Sequence, residues 1–184
     1  MKIIETPLPG LLIIEPNVFN DQRGYFYESY NFLRYHERGM ESQFVQDNES
    51  KSVRGVVRGL HYQLNPVAQG KLVRVVQGTV YDVALDIRKG SPTFGRWFGI
   101  EISESDKKQL FIPRGFAHGF SVLSETAIFS YKCDNVYSRE NERAINAFDP
   151  QLAINWQLTE SEWKVSEKDK IAPLFADVEM NFIY

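Results

Sequence analysis

The sequence predicts an all-β chain, a sandwich or barrel of many short strands with short helices confined to its flanks. Apolar runs of strand length follow one another from Ser52 to Cys133, separated by glycine, proline, asparagine and aspartate. Within them the alternation has period two. In TVYDVALDIR, Tyr81, Val83, Leu85 and Ile87 alternate with Asp82, Ala84, Asp86 and Arg88, which predicts a strand with one face inward. Only one early segment carries a clear helical pattern. A jelly roll suits the number of runs.

Taken in order, LLIIEP is extended and is followed by the turn residues Asn17, Asn20, Asp21 and Gly24. YFYES is extended again. YNFLRYHERG is the helix, with Phe32, Leu33 and Tyr35 to Arg38 forming an amphipathic pair of turns and Gly39 as the C-terminal stop. The β runs are then SVRGVVRGLHYQ, GKLVRVVQ, TVYDVALDIR, RWFGIEIS, KQLFIP, HGFSVLS and TAIFSYKC, with a hairpin expected at Gly78. The tail PQLAINWQLTESEWKVSEKDKIAPL is polar and irregular, with a helical turn near Ser161 to Lys164. It is expected to wrap the barrel, so that residues 1–184 form a single domain.

Composition narrows the function. Of 184 residues, 43% are hydrophobic and 24% charged, which is ordinary for a globular protein with a real core. A net charge of -3 argues against nucleic acid or a membrane surface as a partner, but not against one anionic ligand held by local cations. No run reaches membrane-spanning length, and no leader is expected at the interrupted N-terminal apolar stretch. The single cysteine, Cys133, allows no internal disulfide, and a reducing, cytoplasmic setting is the simplest reading.

Three histidines are present. His36 falls on the surface helix and reads as solvated. His61 and Arg58 lie in VVRGLHYQ, among apolar neighbours. Strict alternation puts them on opposite faces, but a bulge at Gly59 would aim both at one polar cavity. His118, in IPRGFAHGF, also points at the barrel. His61 is followed by Tyr62 and Gln63 rather than by a second histidine, so two histidines fall short of the usual three protein ligands and no metal is expected. There is no phosphate-binding glycine loop and no GxSxG elbow. Cys133 reads as an inert buried thiol.

Laid side by side, FNDQRGYFYESY, FVQDNESKS, RGLHYQ, QGKLVRVVQG, DVALDIRKGSPTFG, IPRGFAHGF and SEKD resemble the dTDP-4-dehydrorhamnose 3,5-epimerase family from about Ile13 to Leu174. The resemblance implies a cupin-like jelly roll that works as a homodimer without metal or organic cofactor. It implies a nucleotide-sugar substrate, dTDP-4-dehydro-6-deoxy-D-glucose. It also implies roles: His61 as general base, Asp169 as its partner, Tyr131 as proton donor on the other face of the sugar, and Lys71 near the carbonyl oxygen. Arg23, Glu28, Gln46, Asn48, Arg58, His118, Tyr137, Glu142 and Lys168 would bind the nucleotide sugar.

The chain departs from the family at Arg114, where glutamate is common, and at Val57, where leucine is common. The loop carrying Glu142 is a loose match. Without the resemblance, Tyr131 is a core aromatic alternating with Phe129, Lys71 a strand-edge lysine and Asp169 a loop or helix-end carboxylate. Other readings stay open at this level: an epimerase acting on C3 or C5 alone, a metal-dependent cupin, or a sugar-binding jelly roll without catalysis.

Overall fold

Two antiparallel sheets face each other in the computed structural model, which describes residues 1–184. The strands, in chain order, are β1 (Lys2–Glu5), β2 (Leu12–Glu15), β3 (Phe19–Asp21), β4 (Gly24–Phe26), β5 (Gln46–Val53), β6 (Val57–Gln63), β7 (Lys71–Gln77), β8 (Thr79–Asp86), β9 (Trp97–Ser103), β10 (Gln109–Ile112), β11 (Phe116–Val122), β12 (Thr126–Cys133) and β13 (Glu142–Ala144). The first sheet runs β1-β2-β10-β7-β12-β5 and the second β13-β6-β11-β8-β9. β3 and β4 form a separate hairpin. Helix α1 (Phe32–His36) is capped by Asn31, whose side chain accepts from the Arg34 N–H, and α2 (Glu167–Lys170) is capped in the same way by Ser166 onto Asp169. The all-β, jelly-roll expectation with helices at the flanks holds.

Alternation sorts most buried side chains into two large cores, with a smaller third formed by Ile14, Tyr35, Met40, Leu72 and Phe111. Val73, Val75, Val80, Ala84, Phe120 and Phe129 meet between the sheets. Val83, Leu85, Leu60 and Tyr62 turn outward, where Ile145, Trp156, Phe175 and Phe182 of the C-terminal segment cover them. The Trp156 indole N–H donates to the Ala147 carbonyl at 2.7 Å, which satisfies its one polar atom. β8 is therefore buried on both faces, not on one as its alternation suggested. The second face is closed by the tail, which wraps the barrel as expected.

Two further expectations are corrected. Gly78 does turn the chain at φ +81°, but it carries the chain from β7 in one sheet to β8 in the other, so no hairpin forms. SVRGVVRGLHYQ is likewise not one strand. It breaks at Gly55, φ +89°, into β5 and β6 on opposite sheets.

The bulge expected at Gly59 is present. His61 pairs with His118 and Arg58 with Phe120, so β6 spends one more residue than β11 between these two points. Val57 and Leu60 both face outward, and Arg58 and His61 both face inward as a result. Glycine is required here. Gly59 has φ +122°, and a Cβ would lie 2.5 Å from the Gly119 Cα and 2.8 Å from the His118 carbonyl oxygen. Gly59→Ala should cost about 1–3 kcal/mol in urea denaturation. Gly90→Ala, at φ +86° with nothing within 4 Å, isolates the backbone strain and should cost less.

Candidate active site

The inward-facing positions become polar toward one end of the sandwich. Along β7 the inner positions run Val75, Val73, Lys71, and along β12 they run Phe129, Tyr131, Cys133. Across β5, Asn48 stands opposite Tyr131 and Gln46 opposite Cys133. Facing them are Arg58 and His61 on β6 and His118 on β11, with Glu142 of β13 opposite Gln63. His61, Gln69, Lys71, Tyr131, Tyr137 and Glu142 line a cavity of about 110 Å³, with Tyr62 and Gln63 in its wall. His61 also opens onto a groove of about 510 Å³ that includes Arg58, Trp163, Lys168 and Asp169.

His61 and Asp169 are 108 residues apart in sequence and 2.6 Å apart in space, Nε2 to Oδ1. α2 is short, yet its cap brings Asp169 inward until 4% of it is exposed. Burial pushes this carboxyl up. The hydrogen bond and charge of His61, the Ser166 hydroxyl and the Gly59 N–H outweigh it and hold the group below its usual range. A carboxylate only accepts, so the His61 Nε2 carries hydrogen and Nδ1 keeps the free lone pair. The bulge aims the ring and the tail supplies its anchor.

Lys71 is not the strand-edge lysine its position in sequence allowed, because β7 lies between β10 and β12. Burial pushes its ammonium pKa down, against the more distant pull of Cys133, Asp82 and Glu142. Its Nζ stands 5.9 Å from the centre of the Tyr131 ring. Tyr131 is half-buried, and burial first, then Cys133 and Glu142, push its phenol up despite Arg58. That keeps the hydroxyl protonated and able to donate. The arrangement thus holds a lone pair, a cation and a phenolic proton around one small cavity.

The remaining candidates divide. Glu142 accepts from the Tyr137 hydroxyl at 2.9 Å and from Lys168 at 2.5 Å. Burial raises its carboxyl, but these two donors bring it below its usual range. Gln46 accepts from the Tyr137 N–H at 2.8 Å and donates to Asn48 at 3.1 Å. Arg58 donates to the Ser52 hydroxyl. His118 is buried, with Nε2 3.0 Å from both oxygens of Asp82. Arg23 and Glu28 are not brought to either cavity. Arg23 sits on the exposed β3–β4 hairpin, paired with Asp21, and Glu28 is paired with Arg34. Asp82 and Gln63 were missed by sequence reasoning. An aspartate sharing its face with Val80 and Ala84 was the available signal for Asp82.

No three His, Cys, Asp or Glu side chains converge on a point that could hold a metal. The lone thiol, Cys133, is buried. No helix is long and apolar enough to cross a membrane.

Comparison with known proteins agrees with the fold. The model of the dTDP-4-dehydrorhamnose 3,5-epimerase family matches residues 5–177. The Shigella flexneri enzyme of that name is 52% identical over 180 residues, covering 97% of this chain and 98% of its own. A crystal structure of the Elizabethkingia anophelis enzyme superposes with TM-score 0.93 at 53% identity, over 96% of this chain and 97% of that one. A Legionella pneumophila structure, described as a dTDP-6-deoxy-D-glucose-3,5-epimerase in complex with dTDP-4-keto-L-rhamnose, gives TM-score 0.93 at 52% identity over 97% and 94%. With family model, sequence and fold in agreement over nearly its whole length, the chain belongs to the dTDP-4-dehydrorhamnose 3,5-epimerase family.

Proposed function

We propose that this protein inverts C3 and C5 of dTDP-4-dehydro-6-deoxy-D-glucose to give dTDP-4-dehydro-L-rhamnose. The observation that carries the mechanism is the 2.6 Å His61–Asp169 pair opening on the cavity that Lys71 and Tyr131 also line. The C4 ketone acidifies the protons on C3 and C5. His61 Nδ1 removes one of them, and Asp169 stabilises the imidazolium that forms. The electron pair passes to the C4 oxygen, where the Lys71 ammonium meets the developing charge. Tyr131 returns a proton from the opposite face of the ring; His61 then gives its proton to solvent, the Tyr131 phenolate takes one from solvent, and the sequence repeats at the second carbon. No group in this scheme needs a metal or an organic cofactor.

The reading is tested by proton NMR of the substrate with the enzyme in deuterated water, trapped by a 4-keto reductase. Deuterium at both C3 and C5 with dTDP-L-rhamnose formed is expected. Deuterium at one carbon only would replace it with a single-carbon epimerase. Tyr131→Phe should slow net inversion by about 10²-fold or more while proton washout falls less, because removal does not use the phenol. A parallel fall of both rates would remove Tyr131 from the donor role.

Arg23 and Glu28 bind the nucleotide in this proposal from a second copy of the chain, in a cytoplasmic homodimer. Phe19, Tyr25 and Phe26 on the same hairpin are exposed by 64%, 56% and 71%, an apolar cost that an isolated chain leaves uncompensated. A lone cysteine suits a reducing compartment. Mixing inactive His61→Ala with inactive Arg23→Ala after subunit exchange should restore activity toward a quarter of the native level. Each mixed dimer then holds one intact site. No recovery from subunits shown to have exchanged would place Arg23 in its own chain's site.

A further inference from the structure

A second histidine–carboxylate pair lies behind the cavity, and the mechanism above gives its carboxylate no task. Asp82 has no exposed surface, and His118 is 7% exposed. Both Asp82 oxygens are 3.0 Å from the His118 Nε2, and the His118 ring stacks on Phe129 with centroids 6.0 Å apart. His118 is also the direct cross-strand partner of His61, so the two dyads stand side by side. A buried carboxylate is costly unless it is paired, and the His118 ring is the partner that Asp82 has.

The groups facing Lys71 define what Asp82 adds. They are Arg58 and His61 on β6, His118 on β11, Asp82 on β8, Tyr131 and Cys133 on β12, and Glu142 on β13. Burial keeps the Cys133 thiol pKa high, so at neutral pH it carries little charge. The Glu142 carboxylate is already engaged by Lys168 at 2.5 Å. Asp82 is the remaining carboxyl among them, buried on β8 and paired with His118 at 3.0 Å.

We propose that Asp82 is a positioning residue for the epimerisation: it holds the His118 Nε2 proton, fixing the ring, and places a counter-charge behind Lys71. His118 then presents Nδ1 as its one remaining polar atom to the sugar, and Lys71 stays an ammonium in a site that burial would otherwise neutralise. The role of Lys71 rests on the function proposed above, whereas the state of His118 does not.

The first test therefore uses the unmodified protein. Nitrogen-15 NMR of labelled histidine should show the His118 Nε2 protonated throughout the neutral range. An unprotonated Nε2 would overturn the assignment. The second uses Asp82→Asn. Its kcat should fall about 10- to 100-fold with dTDP affinity retained, and the alkaline limb of its kcat profile should move to lower pH. The sign follows because removing a negative charge makes the ammonium easier to deprotonate. Native kcat, or a lower kcat with an unmoved alkaline limb, would reduce Asp82 to a structural residue. If the variant does not fold, the histidine spectrum alone decides. If the unmodified enzyme exchanges neither C3 nor C5 hydrogen, the proposed function fails while the His118 result stands.

Discussion

His61→Ala should abolish deuterium incorporation at both C3 and C5, with turnover lower by about 10²–10⁴-fold, while dTDP still binds. The ring lines the cavity beside Lys71 and Tyr131 and carries a free imidazole lone pair. Its Nε2 is committed to Asp169 at 2.6 Å, and the other cavity-facing histidine is turned to Asp82. Most of the residues expected to hold the nucleotide lie off this strand, on β5, β13, α2 and the β3–β4 hairpin, and Arg58 on β6 is unchanged by the substitution. Calorimetric titration with dTDP therefore separates loss of the base from loss of the site. Residual exchange near the native rate would exclude His61 as the base.

Lys71→Met should lower kcat by about 10²–10³-fold, the scale seen when one group is removed from a developing oxyanion. Methionine keeps the length of the stem, so packing against Tyr131 is largely preserved. The unmodified enzyme carries its own control. Burial lowers the Lys71 pKa, so the ammonium loses its proton below the ordinary lysine range. Activity should fall on the alkaline side as that proton leaves, and the Met variant should lack this limb. An alkaline limb that survives in Lys71→Met would assign the titration to another group, with Tyr131 the first to examine.

Much of this was legible in the residues because alternation is local. Phe129 and Tyr131, or Val73 and Lys71, share a face by parity alone. The β6 bulge was legible too, since only a glycine inside a strand accounts for Arg58 and His61 facing one way. What parity does not reveal is which face a strand turns inward, or what covers the other. β8 looked half-buried because nothing in TVYDVALDIR specifies that Trp156 and Phe175 will close its outer face. Gly78 looked like a hairpin because a positive-φ turn between two strands reads the same whether they pair or part. Asp82 was passed over for the same reason: its polarity suggested solvent, when it marked an inner position. The His61–Asp169 contact had no local signal and came from the family resemblance. Arg23 and Glu28 were recognised by motif, but one chain alone does not bring them to the cavity.

The tail that closes the outer face of the second sheet also delivers Asp169. Every strand of both sheets ends by Ala144, so the barrel's pairing partners have all been synthesised before the carboxylate of the first dyad exists. Catalytic competence thus waits on the tail, and turnover reports that Asp169 has docked against His61. Fraying of the same segment would silence the enzyme while leaving both sheets paired, so inactivation on warming should precede global melting.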